Sequence, residues 1–267
     1  MSDVELYTFN CADWPFEKSF MVQTQDVGEA YPAKIPFYLI DHPEGNVLFD
    51  TGIRYRMKKD PLDYGTHGAP HMEAFVDDIE MTEDDKPVNQ LGDLGYSPGE
   101  IDYVVLSHLH VDHAGNVKDF PDSEILVHKD ELSYAWWPDP VQKLFYLEGD
   151  FHALRSNEFN VTRTHDKHDV FGDGKVVTFH TPGHTPGHQS LKVELENTGT
   201  VILTADVAHL RQGYEMEFMP SFNWSLEKSI ESVERVKHLA KKEDAMVSIF
   251  HDVDDWEKMP DPPESLD

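Results

Sequence analysis

Residues 104–116 read VVLSHLHVDHAGN. The apolar, β-branched run predicts a strand over Tyr103–Ser107. Ala114-Gly115-Asn116 then marks a turn. Between them lie His108, His110, Asp112 and His113. In an extended chain residues two apart face the same side, so His108 and His110 reach one metal ion together. Asp112 and His113 follow where the chain turns and aim at a second ion beside the first. Imidazole and carboxylate are the ligands Zn²⁺ takes where cysteine is absent.

Three further segments repeat this pattern of a strand ending in a ligand. In TFHTPGHTPGHQS (178–190) a strand over Val176–His180 meets Thr181-Pro182-Gly183 and delivers His184, a third ligand for the first ion. His188, at the next turn, reads as a histidine bonded to backbone, and His180 as a packed strand residue. In TVILTADVAH (200–209) a strand ends at Asp206, a carboxylate able to bridge two ions. In AMVSIFHDVDD (245–255) a strand ends at His251. Ligands at strand ends on one edge converge in space, where sites form on loops.

The same periodicities cover the rest of the chain. Further strands are expected at Val4–Phe9, Phe20–Gln23, Ile35–Ile40, Val47–Asp50, Glu124–Val127, Ser190–Val193, Val201–Thr204 and Met246–Phe250. The clearest helix is Ser225–Lys242, with Leu226, Ile230, Val233, Val236 and Ala240 on one face and Ser225 as its cap. Gln90–Leu94 and Lys129–Trp136 are shorter helix candidates. Many strands with few helices predict two sheets covered by helices on their outer faces. Residues 1–267 show no linker and read as one domain. Asp77–Lys86 and an acidic tail from about residue 253 read as solvated, loosely held surface.

Composition narrows the function. The 267 residues carry a formal charge of −29, which repels nucleic acid. Acidic residues spread along the whole chain fit a halophilic surface screened by concentrated salt. Cys11 is the one cysteine, so no intrachain disulfide forms, and it reads as a packing residue. No apolar run reaches the roughly 18 residues of a membrane span. No secretory signal is visible, so the expectation is a soluble, cytoplasmic protein without nucleic-acid or membrane partners. Ser107 lacks the G-x-S-x-G elbow of a serine hydrolase.

The chain resembles the metallo-β-lactamase-fold hydrolases. The matching residues are Asp50-Thr51-Gly52, His108 to His113, His184, Asp206 and His251, across about residues 33–252. Within that group LGDLGYSPGEIDYVVLSHLHVDHAGN, TPGHTPGHQSL and LTAD resemble the N-acyl homoserine lactone lactonases and their relatives, including the pyridoxolactonases. The resemblance implies an α+β fold, the αβ/βα four-layer sandwich, and two Zn²⁺ per chain. The first ion would take His108, His110 and His184. The second would take Asp112, His113 and His251, with Asp206 bridging and Asp50 bonded to a ligand histidine. It implies a hydrolase that opens a lactone with hydroxide generated between the ions, for quorum quenching. Asp112 would shuttle the proton.

These lactonases usually carry Tyr three residues after the bridging Asp, where this chain has His209. Its imidazole N–H could hold the substrate carbonyl in the same way. The expected substrate is a small lactone or ester. Trp136, Trp137, Phe145, Tyr146, Phe218, Met219, Phe222 and Trp224 are candidate walls for an acyl chain. Some relatives form homodimers. A glyoxalase-type thioester hydrolase should have a basic C-terminus, whereas this one is acidic. A nuclease would need a basic exosite. A flavin-linked di-iron reductase has an acid where His110 stands, and a β-lactamase is usually exported. A non-catalytic module of this fold would have lost ligands.

Overall fold

The computed structural model of the protein describes residues 4–65 and 68–267. Among them, β1 (Glu5–Glu17), β2 (Ala30–His42), β3 (Gly45–Phe49), β4 (Tyr103–Val105), β5 (Glu124–His128) and β6 (Asn160–Thr164) form one sheet in that order. β7 (Lys167–Asp169), β8 (Val176–His180), β9 (Gln189–Leu195), β10 (Gly199–Leu203) and β11 (Met246–Ser248) form the second. β1 to β3 pair antiparallel and β3 to β6 parallel. Parallel strands are covered on both faces, which is why β4 and β5 read as short, unbroken apolar runs.

The two-residue period of each strand separates the layers. Val104 turns outward, with Phe37, Leu39, Leu48 and Ile125, to pack beneath the surface elements of the first sheet. Val105 turns inward against Phe49, Leu126, Leu191 and Val201, between the sheets. On the far side, Phe179 and Ile202 meet Val233 and Val236 of the helix Leu226–Glu243. Each such buried side chain contributes about 1.5–3 kcal/mol. The result is the expected four-layer sandwich.

β8, β10 and β11 run in the same direction and finish at one edge. Gln189 joins this edge to the first sheet: its backbone N–H donates to Ser107 O at 3.0 Å and its side-chain amide to Leu106 O at 2.8 Å. The ends of β4, β8, β10 and β11 therefore face one volume.

Several expectations are corrected. Phe20–Gln23 is not a strand: Lys18–Met21 forms a helical turn, and β1 continues to Glu17 through a register shift at Asn10/Ala12. Residues 77–86 are not simply solvated. Ile79 and Met81 are buried, and Glu80 pairs with Asp13 through two backbone hydrogen bonds. The tail returns to the body: Val253–Trp256 is helical, Met259 is buried, and Leu266 exchanges hydrogen bonds of 2.8 and 3.0 Å with Leu6. The long helix keeps its Ser225 cap but buries Ser229, Ser232, Val233 and Val236, leaving Leu226 and Ile230 exposed. Polar β6 and β7 carry no apolar run and were not legible as strands.

Candidate metal centre and active site

Glycine makes the loop after β8 fit. Gly183 has φ +143°, and a Cβ there would strike the backbone of Ser229; at Gly187 it would strike Glu131. Only glycine lets the 181–188 loop lie so close to both segments. The loop then holds His184 over the end of β4. Asp50 and Ala205, with φ of +60° and +47°, sit in left-handed backbone at the same edge.

The imidazoles of His108, His113, His184, His209 and His251 surround Asp206. On one side of its carboxylate, Oδ2 lies 3.2 Å from His184 Nε2 and 3.9 Å from His108 Nε2. On the other, Oδ1 lies 3.4 Å from His113 Nε2 and 3.1 Å from His251 Nε2. His110 Nδ1 is 3.0 Å from His184 Nε2. Asp112 Oδ2 stands 3.8 Å from both His113 Nε2 and His251 Nε2. His108, His110 and His184 form one set of close donors, and Asp112, His113 and His251 another. The structure thus brings together all seven residues singled out as ligands in the sequence.

Outer partners turn each ring the same way. His110 Nε2 meets Gln142 Oε1 at 2.9 Å, and the Gln142 amide donates to His184 O, which fixes its orientation. His184 Nδ1 meets Asn223 Oδ1 at 2.9 Å, while Asn223 Nδ2 donates to Ser229 Oγ. His251 Nδ1 donates to Lys34 O at 2.7 Å. His113 Nδ1 donates to Asp50 Oδ2 at 2.8 Å. Ser107 Oγ donates to Asp50 and accepts from His108 Nδ1. These bonds assign a proton to each outward nitrogen, and the other nitrogen of each ring is turned toward Asp206. His108 Nε2, His113 Nε2 and Asp206 Oδ1 are buried with no hydrogen-bond partner. Lone pairs converging on a buried carboxylate, 3.0 Å apart between His110 and His184, are a donor set for cations. The residues fit divalent metal.

The electrostatics divide the two donor sets: His108, His110 and His184 are pushed toward the neutral form, and His113 and His251 toward the charged one. Burial, then neighbouring imidazoles, hold His108 well below its ordinary range. Burial pushes His110 down to about 3. Burial also acts against the charge on His113, but the Asp206, Asp112 and Asp50 carboxylates outweigh it and raise this imidazole. Burial would raise Asp206, yet the facing His113, His209, His251 and His184 hold it well below the carboxylate range.

Asp50 takes hydrogen bonds from Ser107 N, Ser107 Oγ and His113. His188 bonds Thr181 O and accepts from Asp206 N, so it fixes Asp206 through its backbone. His180 stacks on His128 at 4.0 Å, outside the centre. His209 Nε2 lies 3.2 Å from Asp206 Oδ2, and its Nδ1 is buried without a partner.

A cavity of about 300 Å³ opens onto Asp112, His209 and Asp206. Of the expected walls only Phe145 and Phe222 line it. Trp137 and Trp224 line a separate cleft, Trp136 packs on Phe151, Tyr146 lies behind His110, and Met219 joins the long helix's core. Phe218 lies outside the cavity lining and is exposed. Trp14, Phe16, Met21, Met72 and Phe75 supply the other apolar wall. They come from segments with no ligand motif, so no local signal marked them. Gln142 and Asn223 were missed likewise: an isolated amide in a loop has no pattern.

The chain matches the Metallo-beta-lactamase superfamily over residues 32–243. It is 34% identical over 266 residues to N-acyl homoserine lactonase AttM of Rhizobium radiobacter, covering 99% of each chain. N-acyl homoserine lactonase AiiA of Bacillus thuringiensis subsp. kurstaki is 33% identical over 221 residues, covering 81% of this chain and 80% of its own. Among solved structures, an N-acyl homoserine lactone hydrolase with N-hexanoyl-L-homoserine at its catalytic metal centre superposes with TM-score 0.83 at 28% identity, covering 100% of both chains. A B. thuringiensis AiiA variant with N-decanoyl-L-homoserine at the active site gives TM-score 0.84 at 28% identity, again with full coverage of both chains. With the histidine-rich edge, the four-layer sandwich and these matches together, the chain belongs to the metallo-β-lactamase superfamily, in its N-acyl homoserine lactonase branch.

Proposed function

We propose that this protein hydrolyses the lactone ring of N-acyl homoserine lactones, as a quorum-quenching enzyme. The observation that carries the reading is the set of imidazole nitrogens turned toward Asp206 beneath an apolar cavity. His108, His110 and His184 would hold one Zn²⁺, and Asp112, His113 and His251 a second, with Asp206 between them. Bound divalent ions supply positive charge that acidifies water and polarises the ester carbonyl.

The chain's own residues do the rest. Phe145, Phe222, Trp14, Phe16 and Met72 receive the acyl chain and exclude bulk water. The His209 imidazole, which lines the cavity beside Asp206, donates to the carbonyl oxygen as charge develops there. Asp112 takes one proton of the attacking water and passes it to the ring oxygen as the C–O bond breaks, leaving an alcohol and a carboxylic acid that releases its proton to solvent at neutral pH. The charge of −29 supports a salt-adapted protein. No helix among the described residues is long and apolar enough to cross a membrane, in keeping with a cytoplasmic protein.

The test is a panel of lactones with acyl chains of several lengths, beside a thioester and a β-lactam, run in dilute buffer and molar KCl with metal content measured. Two zinc per chain and preferential lactone opening support the reading. Faster thioester or β-lactam cleavage overturns the substrate, and stability that is flat with salt overturns the salt adaptation.

A further inference from the structure

Glu131 is fully buried, and among the described residues it has no ion-pair partner. A carboxylate placed so costs several kcal/mol unless donors replace its water. Every donor it has belongs to the machinery around the centre. Its Oε1 accepts from Leu109 N at 2.9 Å and from Tyr146 OH at 2.6 Å. Its Oε2 accepts from Thr185 Oγ1 at 2.6 Å, and Gly187 N–H also donates to it. Leu109 lies between His108 and His110, and Thr185 follows His184. The Tyr146 ring meets His110 edge-on, with centroids 4.6 Å apart.

We propose that Glu131 is a positioning residue that ties the 107–113 loop to the 181–188 loop and sets the spacing of His108, His110 and His184. It does not line the cavity, so it acts through these histidines and not on substrate. Its grip is one-sided: no donor to Glu131 comes from His113, His251 or Asp112. An apolar residue would fill the space but join neither loop. The inference rests on the metal reading above, and it makes a claim that reading does not, namely asymmetry between the two donor sets.

The test uses the intact protein with Glu131→Gln, whose amide must present N–H to a donor, and Thr185→Val, which removes one bond and spares the rest. Zn²⁺ is titrated against a competing chelator, and histidine side-chain ¹H–¹⁵N spectra are recorded without metal. Glu131→Gln should weaken one of two ions about 10–100-fold and shift the His110 and His184 resonances, leaving His113 and His251 in place. Thr185→Val should do the same more weakly. Equal weakening of both ions, or unmoved His110 and His184 resonances in a folded variant, overturns the proposal. A wild-type chain that binds no zinc would instead sink the metal reading, while the metal-free spectra still decide the role of Glu131.

Discussion

The carboxylate of Asp50 and Nδ1 of His113 lie 2.8 Å apart, both wholly buried, and the same carboxylate holds the backbone and hydroxyl of Ser107. Through Ser107 the contact extends to His108, so one acid orients a ring in each donor set. Asp50 pays for this with left-handed backbone at φ +60°. Burial pushes its carboxyl up, while His113 and Ser107 pull back toward the ionised form.

Asp50→Ala is therefore expected to weaken metal binding by about 10–100-fold, at both ions. Chelator competition measures it. Unchanged affinity in a folded variant would show that packing alone orients His113 and His108.

Metal removal should cost stability. Without cations, the buried nitrogens of His108 and His113 and the Asp206 oxygen crowd together with no hydrogen bond to satisfy them. An ion present at a thousand times its dissociation constant stabilises the native state by about 4 kcal/mol. For a chain of this size that lowers Tm by about 10 °C when a chelator is added. Calorimetry with and without chelator, followed by zinc restoration, checks the value. Identical melting in both conditions would contradict cation binding at this edge.

What was legible in the sequence was local. His108 to His113 announced themselves because they follow an apolar strand directly, and His184, Asp206 and His251 because each repeats that grammar. Two sheets covered by helices followed from many strand signals and few helix signals, and the four-layer sandwich was what the family resemblance implied. What was not legible depends on distant contacts. Leu226 and Ile230 have helical spacing, but the face turned to the protein body is that of Ser229, Ser232, Val233 and Val236. Ile79 and Met81 sit in an acidic run whose charge hides them, and they are buried because Glu80 pairs with Asp13. Gln142 and Asn223 orient His110 and His184 across 32 and 39 residues of sequence, which no pattern can show.

His209 stands where lactonases of this branch usually have Tyr. Its imidazole lines the cavity 3.2 Å from Asp206 Oδ2 and is the donor proposed for the carbonyl oxygen. His209→Phe is expected to lower kcat by about 10²–10³, with KM within a few-fold and metal content unchanged. His209→Tyr should keep most of the rate. Steady-state kinetics on one lactone, with metal analysis of each variant, separates the roles. A loss confined to KM would make His209 a wall of the pocket, and a loss of metal would make it a ligand.

Asp150 gives stability a pH dependence away from the centre. It is fully buried, Tyr64 OH donates to Oδ1, and Oδ2 has no partner. Burial pushes its carboxyl up to about 7, with Tyr64, Lys118 and Arg54 pulling against the shift. In the unfolded chain an aspartate titrates near 3.9. Between about pH 4 and 7 the native state therefore holds a proton that the unfolded state has lost. Its contribution to stability is full below pH 4, falls as pH rises through that window, and is constant above 7. Asp150→Asn keeps an acceptor for Tyr64 and removes the titration. At pH 8 the variant is expected to be more stable by on the order of 2 kcal/mol, several degrees in Tm. The advantage should shrink to near zero at pH 4. Melting curves of both proteins across this range decide it: a gap that does not change with pH would mean that Asp150 is ionised in the native state throughout.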